Sequence, residues 1–257
     1  MSARVQTQPA EIWFGRKPIE VGDLHFVRDG RREYSSFAYR PGWLSHHESF
    51  QVSPDLPLAP GRVTRRAPTA DDSPFPFALA DTEPDAWGKR IIDRAHARRR
   101  RDDQALEPLT RFDYLAAVHD ESRIGALRLR DASGAFLRDA RDHRTPQLLD
   151  LSQIFASSRR VEEGNESAQD LQYLQGKGTS IGGLRPKCTV RDVDGHLAIG
   201  KFPSIGDNRS VTRGEVLALK LAARVGIDAA EARIELRDGA PLAVLRRFDR
   251  PVAGGRR

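Results

Sequence analysis

The feature that most constrains the fold is a glycine-rich segment that precedes two strands and a helix. Four glycines fall within eight positions: Gly176, Gly178, Gly182 and Gly183. Glycine adopts positive φ at little cost and lets backbone N–H groups approach an anion, so such a segment can form a concave phosphate site. Its spacing differs from G-x-G-x-x-G, and Leu184 and Arg185 stand where a P-loop has Lys and Ser or Thr. The segment therefore predicts either a flexible loop or a phosphate loop of another kind.

A β-hairpin with a lysine near its end is predicted next. Two strand-like segments, residues 188–193 and 196–202, flank Asp194-Gly195, a dipeptide typical of tight turns. Side chains alternate along a strand, which places Lys201 on the same face as Leu197 and Ile199. A lysine on a mostly apolar face is costly unless it meets an anion. The alternative is a strand-end lysine whose amine reaches water.

An amphipathic helix is predicted from about Val211 to Val225, with Gly226 placed to end it. Glu215 lies in its first turns and has two interpretations. It can complete a capping box with Thr212. It can also pair with Lys201, as in protein kinases, where a lysine–glutamate ion pair holds the lysine on the nucleotide phosphates.

These segments carry a family resemblance. Together they resemble the HipA family of serine/threonine kinase toxins of toxin–antitoxin systems, over residues 178–187, 197–203, 215, 221–227 and 247–250. The resemblance runs through most of the chain. It implies an ATP-dependent protein kinase, with ATP and Mg²⁺ as cofactors. It also implies a small DNA-binding, HipB-like antitoxin as partner, with DNA contacted indirectly through it. The best-known members phosphorylate a glutamyl-tRNA synthetase, so an aminoacyl-tRNA synthetase is the expected substrate of the full-length family.

The resemblance also implies roles for individual residues. The phosphate loop would consist of Gly182, Gly183, Leu184, Arg185, Pro186 and Lys187. Lys201 would contact the phosphates and Glu215 would orient it. The hinge against the adenine would be Arg246, Arg247 and Phe248. Ser180 takes the position of the family's regulatory serine, whose autophosphorylation expels the loop; the alternative is a serine that makes turn hydrogen bonds. No metal-binding residues are predicted.

An α+β fold in three parts is expected. Residues 1–130 would form a small β-rich N-terminal subdomain, with a hairpin at Asp29-Gly30, a helix over 85–98 and a strand over 123–129. Residues 131–175 would form a helical linker. Residues 176–257 would form a kinase-like N-lobe fragment: an antiparallel sheet, a helix like αC of kinases and a hinge strand. A third hairpin is predicted at Asp238-Gly239.

A kinase needs further groups: an aspartate base, an asparagine and a second aspartate for Mg²⁺. The family carries them on a helical lobe after the Arg-Phe-Asp-Arg segment, and no His-x-Asp-x-x-x-x-Asn pattern occurs in this sequence. The resemblance therefore implies that the C-terminal helical lobe is missing. It predicts no catalytic residue in this chain and no phosphotransfer by it alone. The alternative is a non-catalytic binding module, either a split-toxin subunit or a partner in an antitoxin–DNA complex.

Composition adds broad limits. The net charge of +6 permits contact with nucleic acid. The arginine run at 98–101 is either a solvated helix end or a phosphate contact beside the antitoxin. The single cysteine, Cys188, excludes a disulfide framework and suits a reducing cytosol. The sequence has no signal peptide and no apolar run of about 18 residues, so a cytoplasmic protein without a membrane partner is expected.

Overall fold

The chain has an α+β fold with two antiparallel sheets. The computed structural model describes residues 5–69, 72–138, 145–175 and 183–250. In chain order the strands are β1 (Gln6–Phe14), β2 (Ile19–Asp29), β3 (Arg32–Tyr39), β4 (Arg62–Arg66), β5 (Leu127–Arg130), β6 (Lys187–Arg191), β7 (Leu197–Lys201), β8 (Ala232–Arg237) and β9 (Ala240–Arg246). The helices are α1 (Pro41–Leu44), α2 (Phe77–Ala80), α3 (Ala86–Asp102), α4 (Arg111–Ala117), α5 (Leu151–Glu163), α6 (Ala168–Leu174) and α7 (Val211–Arg224), and a 3₁₀ turn (Leu148–Asp150) precedes α5. None of the helices in the described part of the chain combines the length and the apolar character needed to cross a lipid bilayer.

The chain divides into two compact units. Unit 1 comprises residues 1–83 and 108–139, and unit 2 comprises residues 84–107 and 140–257. Two segments are therefore distributed differently from the three-part division expected above. Residues 84–107, which contain α3, group with unit 2, and α5 and α6 supply part of the unit 2 core.

Unit 1 is built on a five-stranded sheet in the order β4-β3-β2-β1-β5. The predicted hairpin at Asp29-Gly30 joins β2 to β3, with Asp29 paired to Arg32. Alternate residues of these strands enter one apolar core, which α1, α2 and α4 complete. Its most deeply buried large side chains include Phe26, Phe37, Trp43 and Phe75.

The strand predicted over residues 123–129 is shorter than expected, because β5 begins only at Leu127. The Arg123 side chain is buried and donates to the carbonyl oxygens of Leu115 at 3.0 Å and Val118 at 2.9 Å. Gly125 then takes a φ of +71°, which lies outside the strand region. These two features hold residues 123–125 away from the sheet.

Gly22 in β2 should tolerate no side chain. A Cβ at this position would lie 2.4 Å from the carbonyl oxygen of Ala38 and 2.6 Å from Cζ of Phe37. Gly22→Ala is therefore expected to lower the free energy of unfolding by about 1–3 kcal/mol, the usual range for overpacking. Urea denaturation followed by tryptophan fluorescence measures the change. Gly42→Ala is the matched control, because nothing lies within 4 Å of its Cβ. Equal midpoints for the two variants would contradict the close contact at Gly22.

Unit 2 is built on a four-stranded sheet in the order β6-β7-β9-β8. The predicted hairpins at Asp194-Gly195 and Asp238-Gly239 join β6 to β7 and β8 to β9. One apolar cluster combines residues of the sheet with residues of α3, α5 and α6. It includes Trp87, Ile91 and Ala95, the predicted core positions of α3. A second cluster combines sheet residues with Val216 of α7. Helices therefore pack against the sheet through two separate cores, and α7 belongs to the smaller one.

Candidate functional site

Lys201 and Glu215 form an ion pair between β7 and α7. Lys201 is the last residue of β7 and Glu215 lies in the second turn of α7. The Lys201 Nζ donates a hydrogen bond to Oε1 of Glu215. Two residues before Lys201, Ile199 packs against the cluster that contains Val216, so alternation along β7 places Lys201 on the side of α7. The two charged side chains are 28% and 31% exposed, so an incoming ligand can reach them.

The structure also decides between the two interpretations of Glu215. The N-cap of α7 is Ser210, and its side chain makes no capping hydrogen bond. Thr212 lies inside the helix, and its hydroxyl donates to the Pro241 carbonyl oxygen at 2.7 Å. The capping-box interpretation is therefore wrong. The Glu215 carboxylate is oriented to Lys201 instead.

Lys187 lies beside this pair on the same face of the sheet. It stands directly opposite Lys201 in the β6–β7 ladder, and directly opposed residues project from the same face. Its Nζ lies 2.7 Å from Oδ2 of Asp85 and 3.1 Å from the Gly183 carbonyl oxygen. The side chains of Lys187 and Asp85 are each 4% exposed. Burial lowers the pKa of the Lys187 amine, the Asp85 carboxylate opposes that shift, and the positive charge of Lys201 adds to it.

The end of the glycine-rich segment is fixed from several sides. Gly183 has a φ of +105°, a conformation that side-chain-bearing residues rarely adopt, and its carbonyl oxygen accepts from the Trp87 N–H at 3.2 Å. The Pro186 carbonyl oxygen accepts from the Phe202 N–H at 3.1 Å. Leu184 and Arg185 between them are exposed, and the Arg185 guanidinium donates to Asp207 at 2.7 Å. Gly182 and Ser180 lie outside the described residues.

The three expected hinge residues have different environments. Arg246 ends β9 and donates to Glu231 at 3.2 Å. Arg247 is 3% exposed, and its guanidinium bonds the Asp249 carboxylate at 2.7 and 2.9 Å and the Thr189 hydroxyl at 3.2 Å. Phe248 is 78% exposed. The contact of Arg246, Arg247 and Phe248 with adenine stays a prediction.

Asp85 is the site residue that sequence reasoning missed. The sequence predicts only the start of a helix at this position, and α3 does begin directly after Asp85, which is its N-cap. The side chain it pairs with is 102 positions away. The local sequence shows the cap but carries no signal for the lysine partner.

Two family models match the chain. Residues 10–130 match the model of the HipA N-terminal domain, and residues 179–257 match the HipA-like C-terminal domain. The match to the family's C-terminal domain thus covers all but the first three residues of the segment that we expected to be a kinase-like N-lobe. No curated protein matches the chain. The two matches fall in the order that the motifs indicated, and the chain belongs to the HipA family.

Proposed function

We propose that unit 2 binds the phosphates of ATP, as the nucleotide-binding part of a HipA-like serine/threonine kinase toxin. The ion pair between Lys201 and Glu215 carries the proposal. A strand lysine held by a helix glutamate is the arrangement by which protein kinases place a cation on the nucleotide phosphates. The loop leads into β6, which begins at Lys187 and pairs with β7 in the same hairpin.

The chemistry of the loop fits a phosphate ligand. Within the described ranges, the N–H groups of Leu184 and Arg185 have no hydrogen-bond acceptor, and both residues are exposed. Lys201 remains partly exposed next to Glu215, so its three ammonium protons allow it to bond the carboxylate and an oxyanion together. Hydrogen bonds from backbone N–H groups and from an ammonium group are both stronger when the acceptor is a charged oxygen.

We assign no magnesium ligand to the described side chains. The nearby carboxylates of Asp85, Asp207 and Glu215 all accept from cationic side chains. Over the described residues, no group of three or more His, Cys, Asp or Glu could hold a metal ion. In this proposal Mg²⁺ arrives on the ATP phosphates, which supply oxygen ligands of their own.

Calorimetric titration of the wild-type chain with Mg²⁺-ATP, Mg²⁺-ADP and AMP tests the proposal. We expect affinity to fall in that order, because each phosphate removed takes its contacts with it. AMP should bind at least about tenfold more weakly than ATP, a difference of about 1.4 kcal/mol. Thermal unfolding is the second measurement. ATP at 100 times its Kd should stabilise the folded chain by about 2.7 kcal/mol. Absence of heat and of a thermal shift at millimolar ATP would contradict nucleotide binding.

Family membership supports the rest of the proposal. We expect a small DNA-binding antitoxin as partner, an aminoacyl-tRNA synthetase as substrate of the full-length family, and Ser180 as the site of regulatory autophosphorylation. Phosphate on Ser180 would add negative charge beside a loop that binds phosphate, so it would oppose ATP. The described residues supply no assigned catalytic base, and we expect no phosphotransfer from these residues alone.

A second candidate is a non-catalytic binding module. Three apolar residues of α7 and its end, Leu217, Leu221 and Val225, recur every four positions and are each more than half exposed. Such a stripe on one helix face is typical of a surface that contacts another protein. A negative result in the ATP titration would favour this candidate over the nucleotide site.

A further inference from the structure

Asp85, the N-cap residue of α3, accepts hydrogen bonds on both of its carboxylate oxygens. One carboxylate oxygen, Oδ1, accepts from the Gly88 N–H at 2.7 Å and so caps the helix. The other oxygen, Oδ2, accepts from the Lys187 Nζ at 2.7 Å. A cap alone requires one oxygen and no charge, and Ser or Asn would serve about as well. The second oxygen therefore has a different role: it binds the amine of Lys187, whose side chain is almost wholly buried.

Lys187 and α3 together fix the orientation of one peptide group in the loop. The Gly183 carbonyl oxygen accepts from the Lys187 Nζ at 3.1 Å and from the Trp87 N–H at 3.2 Å. In a trans peptide the C=O and the following N–H point in opposite directions. With the carbonyl turned toward α3, the Leu184 N–H points away from it. A phosphate loop needs this arrangement, because an outward carbonyl would repel the anion that the N–H groups attract.

Stability alone explains the Asp85–Lys187 pair poorly. Removing two charges from water is costly, and apolar residues of similar volume are often as stable or more so. Buried ion pairs are best attested where they fix one arrangement among several. Here the arrangement fixed is the contact between the loop at Gly183 and the first turn of α3.

We infer that Asp85 is a positioning residue of the phosphate loop: through Lys187 it docks Gly183 on α3 and so aims the Leu184 N–H at the ligand. This inference rests on the nucleotide site proposed above. It adds α3, a helix distant in sequence, to the residues that determine ATP affinity. It also assigns Lys187 a role inside the loop, with its amine on Asp85 and Gly183 and not on the phosphates.

Asp85→Asn tests the inference in the full chain. Asparagine keeps the cap on Gly88 but lacks the charge that holds Lys187. Amide hydrogen exchange then reads two neighbouring N–H groups. The Trp87 N–H donates to Gly183, so its protection factor should fall at least about tenfold when the loop is undocked, because local opening controls exchange. The Gly88 N–H should keep its protection and serves as the internal control. Affinity for Mg²⁺-ATP should fall about tenfold, a change of about 1.4 kcal/mol.

The double variant Asp85→Asn/Lys187→Met separates positioning from general stability. Replacing the unpaired lysine by methionine should restore the thermal midpoint, since no unpaired charge stays buried. The loop should stay undocked, with low ATP affinity and an exposed Trp87 amide. Recovery of ATP affinity together with stability would overturn the inference, and so would an Asp85→Asn protein with Trp87 protected and affinity unchanged. Absence of ATP binding by the wild-type protein is a different result, which overturns the nucleotide site itself and this inference with it.

Discussion

Lys201→Ala is expected to lower the affinity for Mg²⁺-ATP about 100-fold, which corresponds to about 2.7 kcal/mol. A hydrogen bond between charged groups contributes about 1.5–3 kcal/mol net, and the variant removes the one partly exposed ammonium group that we assign to the phosphates. Isothermal titration calorimetry gives the ratio of dissociation constants directly. Lys220→Ala is the matched control, because Lys220 is an exposed lysine of α7 with no ion pair among the described residues. The affinity of Lys220→Ala should stay within about twofold of the wild type, as expected for an exposed surface charge without a fixed partner.

Glu215→Gln is the companion variant, since the proposal gives Glu215 only an orienting role. Its affinity should fall less than that of Lys201→Ala, and the double variant should be no weaker than Lys201→Ala alone. Additive losses would show that the two residues act independently, which contradicts an orienting role. Both side chains are about 30% exposed, so the pair should contribute less than about 1 kcal/mol to folding. Unchanged unfolding midpoints would therefore exclude unfolding as the cause of weak binding.

The parts of the fold that sequence predicted are those with local signals. Each of the dipeptides Asp29-Gly30, Asp194-Gly195 and Asp238-Gly239 lies at the connection of an antiparallel hairpin, and Asp238-Gly239 is itself the two-residue turn. The other two connections are Gly30-Arg31 and residues 192–196. A tight turn with glycine is decided by the φ values of a few adjacent residues, so the chain states it locally. The apolar spacing of α3 was informative for the same reason, because residues four apart share one helix face.

The parts that sequence left open depend on distant partners. Glu215 fitted a capping box and a lysine pair equally well, and only the position of β7 beside α7 decides between them. Asp85 is predicted only as the start of a helix, and the fold alone brings Lys187 to its second oxygen. Arg123 lies in a segment with strand-like alternation, but its buried hydrogen bonds to α4 displace the backbone from the sheet. In each case a tertiary interaction overrides or completes a correct local pattern.

Asp170→Asn is expected to lower the free energy of unfolding of the chain by about 3 kcal/mol, the lower end of the range for breaking a buried ion pair. Asp170 of α6 is 6% exposed and accepts from the Arg160 Nε at 2.9 Å, from the Ser157 hydroxyl at 2.8 Å and from the Ser167 N–H at 2.9 Å. It therefore joins α5 to α6 and closes the capping box of α6. The lower end applies because the Arg160 side chain is 43% exposed and can return to water.

The pH dependence of this loss identifies its cause. The hydrogen bonds from the Arg160 guanidinium hold the pKa of Asp170 well below its usual value, and those from Ser167 and Ser157 act in the same direction. A carboxylate with a lowered folded-state pKa stabilises the protein above its unfolded pKa of about 3.9, and that contribution disappears as pH falls toward the folded pKa. Urea denaturation should thus show the full difference in unfolding free energy between wild type and Asp170→Asn at pH 7 and a shrinking difference below about pH 4.

Asp113→Asn is the matched control, because Asp113 closes the capping box of α4 and makes no ion pair among the described residues. It should cost only about 1 kcal/mol, as for a lost cap. A deficit for Asp170→Asn that stays constant down to pH 3 would show that packing, and not the charge on Asp170, holds the two helices together.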